Sequence, residues 1–361
     1  MSNALLQRLD DRLLRLAFRA ATRREFYRSL QLLLGNQVQL NQALIELYAV
    51  YSDDGAKPKT PMARIIDHCQ QKMNNGLAFS EALGDWLPPD EKMLLQAGES
   101  AGDLVAAFSD IEKIMNARKR IVGAVIGALA YPLVLFTLLG FLLRMVANDL
   151  VPKFAKIVDP DLWTGAAAVL YQLANFVNGY GLITVVLAVV LVLAIAMSLP
   201  YLRGGIRIRL DRLPPWSIYR MIQGATFMLS VSALLNSGMQ IKLIMRKLAQ
   251  PATPWLKERV EAASAELSAG RNLGEALSYS GYHFPDRRAN NFLRVIAAYS
   301  GVEKAIAVFA TDWLEETVVR IQKAASLMLV ICIMLVGITL LMVIAGAGGL
   351  QEAIQNMVGN K

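Results

Sequence analysis

Four carboxylates are the candidate interaction residues of this chain: Glu81, Glu99, Asp103 and Glu275. Each lies near a landmark that occurs twice, and a carboxylate on a helical surface can face a basic partner. For Glu81 and Glu275 a second reading stays open, because a glutamate in a first helical turn also caps the helix or lines a solvated face. None of the four suggests catalysis. The two histidines, His68 and His283, fall in separate charged segments, while Cys69 lies in a charged segment and Cys332 in an apolar one. Neither a metal cluster nor a disulfide is expected from them. No Gly-x-x-x-x-Gly-Lys-Ser/Thr run is present to cradle a phosphate. An intramembrane protease needs a serine–histidine pair or paired aspartates inside its spans, and here the histidines and aspartates all lie outside. The residues therefore read as those of a non-enzyme without cofactor or metal.

The elements that must carry these residues are marked by three uncharged runs. Residues 121–143 form a run of 23, residues 162–202 one of 41, and residues 324–351 one of 28. A hydrocarbon core ~30 Å thick takes ~20 residues of apolar helix. The expected architecture is all-α and polytopic, with spans at 121–143, 180–202 and 324–350. Residues 162–178 are apolar but broken by Gln172, Asn175 and Asn178, so they lie in the interface, extend the second span, or form a fourth span that would put the C-terminus inside. The first 30 residues carry charges throughout and no apolar core segment, so no cleavable signal peptide is expected.

Charge sets the expected orientation. The chain has 361 residues, 55% of them hydrophobic, and a net charge of +8. Lysines and arginines cluster before the first span, after the second and before the third, which puts those three flanks in the cytoplasm. The expected order is a basic amphipathic segment at 1–20, a first cytoplasmic domain at 21–120, an exported loop at 144–179, a second cytoplasmic domain at 203–323 and an exported tail at 351–361. Juxtamembrane basic residues fit anionic lipid, and no zinc-finger or helix-turn-helix pattern points to nucleic acid. The arginines at 8, 12, 15, 19, 23, 24 and 28 fit either an interfacial helix or the solvated face of a bundle helix.

The two cytoplasmic domains repeat one another. Phe26, Ser29, Leu33, Gln39 and Leu47 correspond to Phe227, Ser230, Leu234, Gln240 and Leu248 at a constant offset of 201. Gly76-Leu-Ala-Phe-Ser-Glu81-Ala-Leu83 parallels Gly270-Arg-Asn-Leu-Gly-Glu275-Ala-Leu277, and Glu99-Ser-Ala-Gly102 is matched more weakly by Tyr299-Ser-Gly301. Apolar spacing at 30–47 predicts helices broken at Gly35-Asn36, with a matching break at Asn236-Ser-Gly238. Pro89 is suited to a first helical position. Each unit thus reads as a helical bundle, a charged linking helix and a membrane helix. Leu33 and Leu234 are expected to be equivalent core positions.

The Gly76–Leu83 segment, Gly98-Glu-Ser-Ala-Gly102 and Ala130-Tyr131-Pro132 resemble the F-type platform family of type II secretion and type IV pilus assembly. The ordered set, from Phe26 to Gly346, carries the resemblance. It implies a non-enzymatic, homo-oligomeric protein of the bacterial inner membrane with compact six-helix bundles in the cytoplasm. Implied partners are a cytoplasmic hexameric assembly ATPase, pilin or pseudopilin subunits and other inner-membrane assembly proteins. The short N-terminal region looks closer to the type IVb and conjugative thin-pilus branch. Unit two departs from the pattern, with Ala298 in place of Glu99 and no Tyr-Pro pair at its span. The alternative is a small oligomeric transporter or channel, in which Pro132 would kink span one and Gly123, Gly127 and Gly140 would admit close helix contacts.

Overall fold

A computed structural model describes residues 14–157, 159–160, 163–296 and 302–359. Arg8 and Arg12, and the landmark at Ala298–Gly301, lie outside the described residues. Among those described, every regular element is helical. Contacts divide the chain into two compact units: residues 1–121 with 200–317, and residues 122–199 with 318–361.

The first unit contains both repeats. Bundle one is α1 (Ala20–Gly35), α2 (Leu40–Ser52), α3 (Pro61–Asn74), α4 (Phe79–Ala82), α5 (Pro89–Ala101) and the start of α6 (Leu104–Met145). The helix breaks fall where the sequence places them: α1 ends at Gly35, and Pro89 opens α5. The core is a chain of rings. Phe18 packs on Phe26, Tyr27 stacks on Phe108 at 5.5 Å, and Phe79 meets Phe108 edge-on at 6.3 Å. All five are buried, and each aromatic side chain removes a large apolar area from water.

After α7 (Val151–Ala155), α8 (Ala166–Tyr201) and α9 (Gly204–Leu210), bundle two repeats the order. Its helices are α10 (Trp216–Asn236), α11 (Ile241–Ala249), α12 (Pro254–Ser268), α13 (Leu273–Tyr279), α14 (Arg287–Ile296) and α15 (Val302–Gly359). Gln39 and Gln240 precede α2 and α11, and Thr60-Pro61 and Thr253-Pro254 open α3 and α12. The Thr-Pro pair is a repeat landmark that the offset comparison missed. Trp255, Phe227 and Phe284 form the core, with Trp255 and Phe284 at 5.7 Å and Phe227 and Phe284 at 5.2 Å. The expected equivalence of Leu33 and Leu234 fails. Leu234 is fully buried, whereas Leu33 is half-buried.

The second unit consists of apolar helix. α6 continues through a π-helical turn at Val146–Leu150 into α7, with Pro132 inside it. Leu133 is 70% exposed, Leu182 80% and Leu341 68%. Such surfaces are compatible with lipid and not with water. Residues 144–179, expected as an exported loop, are mostly helical. The first 14 residues of α8 continue the second span, which reaches about 54 Å in all. An apolar cluster explains why: Val146, Ala147, Val151, Trp163, Ala167, Leu170 and Ala174 pack together, and Asn178 donates to the Ala147 carbonyl at 3.3 Å. Gly346 lies against Leu170, whose side chain would have to shift to admit an added methyl at 2.9 Å.

Among the described residues four helices can cross a membrane by length and composition, one more than the three expected. The addition is α10. Its most apolar window has a mean hydropathy of 1.3 and is 56% buried, against 2.3, 3.0 and 3.2 with 11%, 0% and 6% buried for the other three. Its apolar residues, including Met228, Val231 and Leu234, are enclosed by bundle two. A soluble core helix and a membrane span share the same apolar run, and packing distinguishes them.

Candidate functional site

Two of the four candidate carboxylates, Glu99 and Asp103, lie at the corner between α5 and α6. Gly98 lets the two helices touch, since a side chain there would meet the Ala107 methyl at 2.2 Å. Gly102 ends α5 in the left-handed region at φ 72°. Glu99 accepts hydrogen bonds from the backbone N–H of Phe79 at 2.7 Å and of Ser80 at 3.0 Å, and from the Ser80 hydroxyl. It therefore caps α4 from 20 residues away. Asp103, exposed, accepts from the Ala106 N–H at 2.9 Å and caps α6.

Bundle two solves the same capping problem locally. Asn272 accepts from the Glu275 N–H at 2.9 Å, and Glu275 accepts from the Asn272 N–H at 3.1 Å, a reciprocal capping box. The matching residue in bundle one is Ala78, which has no side-chain acceptor. Glu99 in bundle one and Asn272 in bundle two are thus alternative ways to satisfy one helix N-terminus. Glu81 stands at the position of Glu275 and is exposed. Of the four candidate residues, Glu99 and Asp103 come together at the corner. Glu81 lies on the helix Glu99 caps, and Glu275 occupies the other bundle.

Two buried ionic clusters escaped the sequence reading. In bundle one, Arg23 donates to Glu91 through Nε at 2.8 Å and Nη2 at 2.9 Å, while the Tyr27 hydroxyl donates to the same carboxylate at 2.9 Å. Burial, then the adjacent Glu91 charge, pushes the Tyr27 phenol well above its ordinary range. In bundle two, Asp211 bridges Arg259 at 2.7 Å and Arg207 at 3.0 Å, and Arg259 lies 4.0 Å over the Trp255 ring. Burial lowers both arginines, and Asp211 opposes that shift. The signal available was weak: a charge at a core-face position of a periodic helix.

The linking helices of the two repeats are joined directly. Arg120 of α6 and Glu315 of α15 form a two-pronged pair, with Nη2 to Oε2 at 2.6 Å. Further along, a cleft of 290 Å³ is lined by Asp110 and Lys113 of α6, Ser232 of α10 and Asp312 of α15. Among the described residues no group of three or more His, Cys, Asp or Glu side chains is arranged to hold a metal ion. Cys69 and Cys332 are both free. The arrangement offers helix caps, a salt-bridged helix pair and continuous rods running into apolar segments.

Fold and site define a polytopic all-α membrane protein built from a duplicated helical bundle. The profile of the family "Type II secretion system (T2SS), protein F" matches twice, over residues 26–148 and 227–348, and the chain belongs to that family. It is 21% identical over 261 residues to the toxin coregulated pilus biosynthesis protein E of Vibrio cholerae, covering 71% of this chain and 75% of the relative. It is 25% identical over 274 residues to the type IV pilus assembly protein PilC of Thermus thermophilus, covering 72% of this chain and 64% of that protein. The F-type resemblance carried by Gly76–Leu83 and Gly98–Gly102 is thereby shown.

Proposed function

We propose that this chain is an inner-membrane platform protein that couples a cytoplasmic hexameric assembly ATPase to the assembly of pilin or pseudopilin subunits. The observation that carries the reading is the register of the two family matches. Each spans one bundle, its linking helix and the apolar run that follows. Because α6 and α15 continue from bundle into apolar segment without a loop, a displacement of either bundle reaches its membrane helix along a hydrogen-bonded rod. The platform hydrolyses no nucleotide itself. The bundles face the cytoplasm, as the basic flanks argue, and other inner-membrane assembly proteins and further copies of the chain complete the assembly. The two relatives are named as a pilus biosynthesis and a pilus assembly protein, which favours a pilus over a secretion machine.

Glu81 and Asp103 are the exposed carboxylates through which a basic face of the ATPase is engaged. Deleting the gene abolishes pilus or secretion output in the host, and normal output after deletion removes the role. Glu81→Gln with Asp103→Asn keeps the hydrogen-bonding shape and removes two charges. That pair weakens ATPase recruitment in quantitative pull-down while membrane insertion is unchanged. Ion flux in proteoliposomes at a rate above empty vesicles would replace the platform reading with a transport one.

A further inference from the structure

Bundle two holds an apolar groove of 410 Å³ bounded by α10–α11, the α12–α13 turn, α14 and α15. Its floor is Leu267, Leu273, Leu293 and Ile306, all buried. Lys242 and Arg271 stand on its walls. Arg246 follows Lys242 by four residues on α11, on the same exposed helix face. Arg271 is held by Glu266 and lies over the Tyr279 ring. Among the described residues neither Lys242 nor Arg246 has a carboxylate partner.

Comparison of the repeats marks this face as specific to bundle two. At the repeat offsets, Lys242, Arg246 and Arg271 replace Asn41, Ile45 and Leu77, so three cations stand where bundle one has none. Leu273 replaces Phe79, whose ring is 1% exposed and packs on Phe108 in bundle one. The smaller side chain leaves room at the corresponding place. The domains differ in overall charge in the same sense. Residues 21–120 have 12 Lys and Arg against 13 Asp and Glu, a net −1, while residues 203–323 have 17 against 10, a net +7. Ile306 precedes the uncharged run at Ala324 by 18 residues, about 27 Å of helix, so the floor of the groove is well removed in sequence from lipid-contacting helix.

We propose that this groove docks an amphipathic helix of a soluble protein partner, with apolar side chains inserted between α11 and α13 and acidic side chains facing Lys242, Arg246 and Arg271. An apolar stripe laid in a groove supplies the contact area, and the flanking charges fix register and exclude basic sequences. The inference rests on bundle two alone and holds whether or not the chain serves as an assembly platform.

The test uses the full chain in detergent and two fluorescein-labelled helical probes of about two heptads. Both carry leucines spaced three and four apart; one has glutamate at the remaining positions and the other lysine. The acidic probe should bind at least ~10-fold more tightly than the basic one, a difference that added salt reduces. Lys242→Glu with Arg246→Glu should weaken the acidic probe at least ~10-fold, and so should Leu273→Phe, which installs the bundle-one residue in the groove. Circular dichroism checks that each variant is folded. If Leu273→Phe does not fold, the charge-reversed pair, on exposed residues, decides alone. Equal binding of the two probes, or charge-reversed protein binding like wild type, overturns the proposal. So does loss of self-association in Leu273→Phe with probe binding unchanged, which assigns the groove to a second copy. Binding to anionic vesicles but not to the acidic probe also overturns it.

Discussion

Glu99 and the pair Asn272–Glu275 perform one task by different means, and the exchange can be measured. Glu99 satisfies two first-turn N–H groups of α4 because Ala78 offers no acceptor. Losing a cap costs about 0.5–2 kcal/mol, so Glu99→Ala should lower the thermal midpoint of the full chain. Ala78→Asn should recover much of the loss by forming a capping box with Glu81, as Asn272 does with Glu275. Leu234→Ala should cost about 2–5 kcal/mol, and the half-buried Leu33→Ala clearly less, read from paired thermal unfolding curves. Alkaline pH probes two buried groups of bundle one. Burial pushes the Cys69 thiol from 9.0 up to about 12 and, with Glu91, raises the Tyr27 phenol. Both folded values exceed the unfolded ones. Their stabilising contribution is therefore complete below the unfolded pKa and is lost as pH rises past it. Stability should fall above pH ~9, and Tyr27→Phe should flatten the fall above pH ~10. Native Cys69 should resist maleimide at pH 8 and react once the chain is unfolded.

The linking helices α6 and α15 are the elements through which the two repeats can act together. Their Arg120–Glu315 pair is the direct tie, and both side chains are 50% exposed. An exposed pair adds little stability and is screened by salt, so its value lies in register. Reversing either charge alone should lower pilus or secretion output in a complemented deletion strain. Arg120→Glu with Glu315→Arg should restore it. Output unaffected by the single reversals would remove the pair from the coupling path. Gly98 has a comparable positional role, because any larger residue drives α5 away from α6 at the corner from which Glu99 caps α4 and Asp103 caps α6.

At the scale of the whole molecule the question is which helices cross the membrane and in what sense. Three have exposed apolar faces, while α10 buries its own in bundle two. The expectation is that both bundles lie on one side. In a chain with Cys69 and Cys332 replaced, single cysteines at Ser2, Thr164 and Arg246 test it. Thr164 is exposed and avoids the positive φ of Gly165, and Arg246 is exposed on α11. An impermeant external thiol reagent should label position 164 alone. Labelling at 246 with protection at 2 would make α10 a fourth span.

The sequence by itself determined the duplication, the helical class, the apolar spans and many of the helix breaks. These follow from local rules: the 3.6-residue period, Gly and Pro at helix ends, and the length of an uncharged run. It also singled out Glu81, Glu99, Asp103 and Glu275 as candidates, and capping was already open as a role for Glu81 and Glu275. What tertiary structure decided depends on residues distant in the chain. Glu99 reaches α4 across 20 positions, Arg23 meets Glu91 across 68, and Arg120 meets Glu315 across 195. Whether α10 is a core helix or a span, and whether residues 144–179 are loop or packed helix, depended likewise on what covers their apolar faces. Composition and spacing record that a face is apolar or that a carboxylate is present. Only the packed chain selects the neighbour that buries the one or donates to the other.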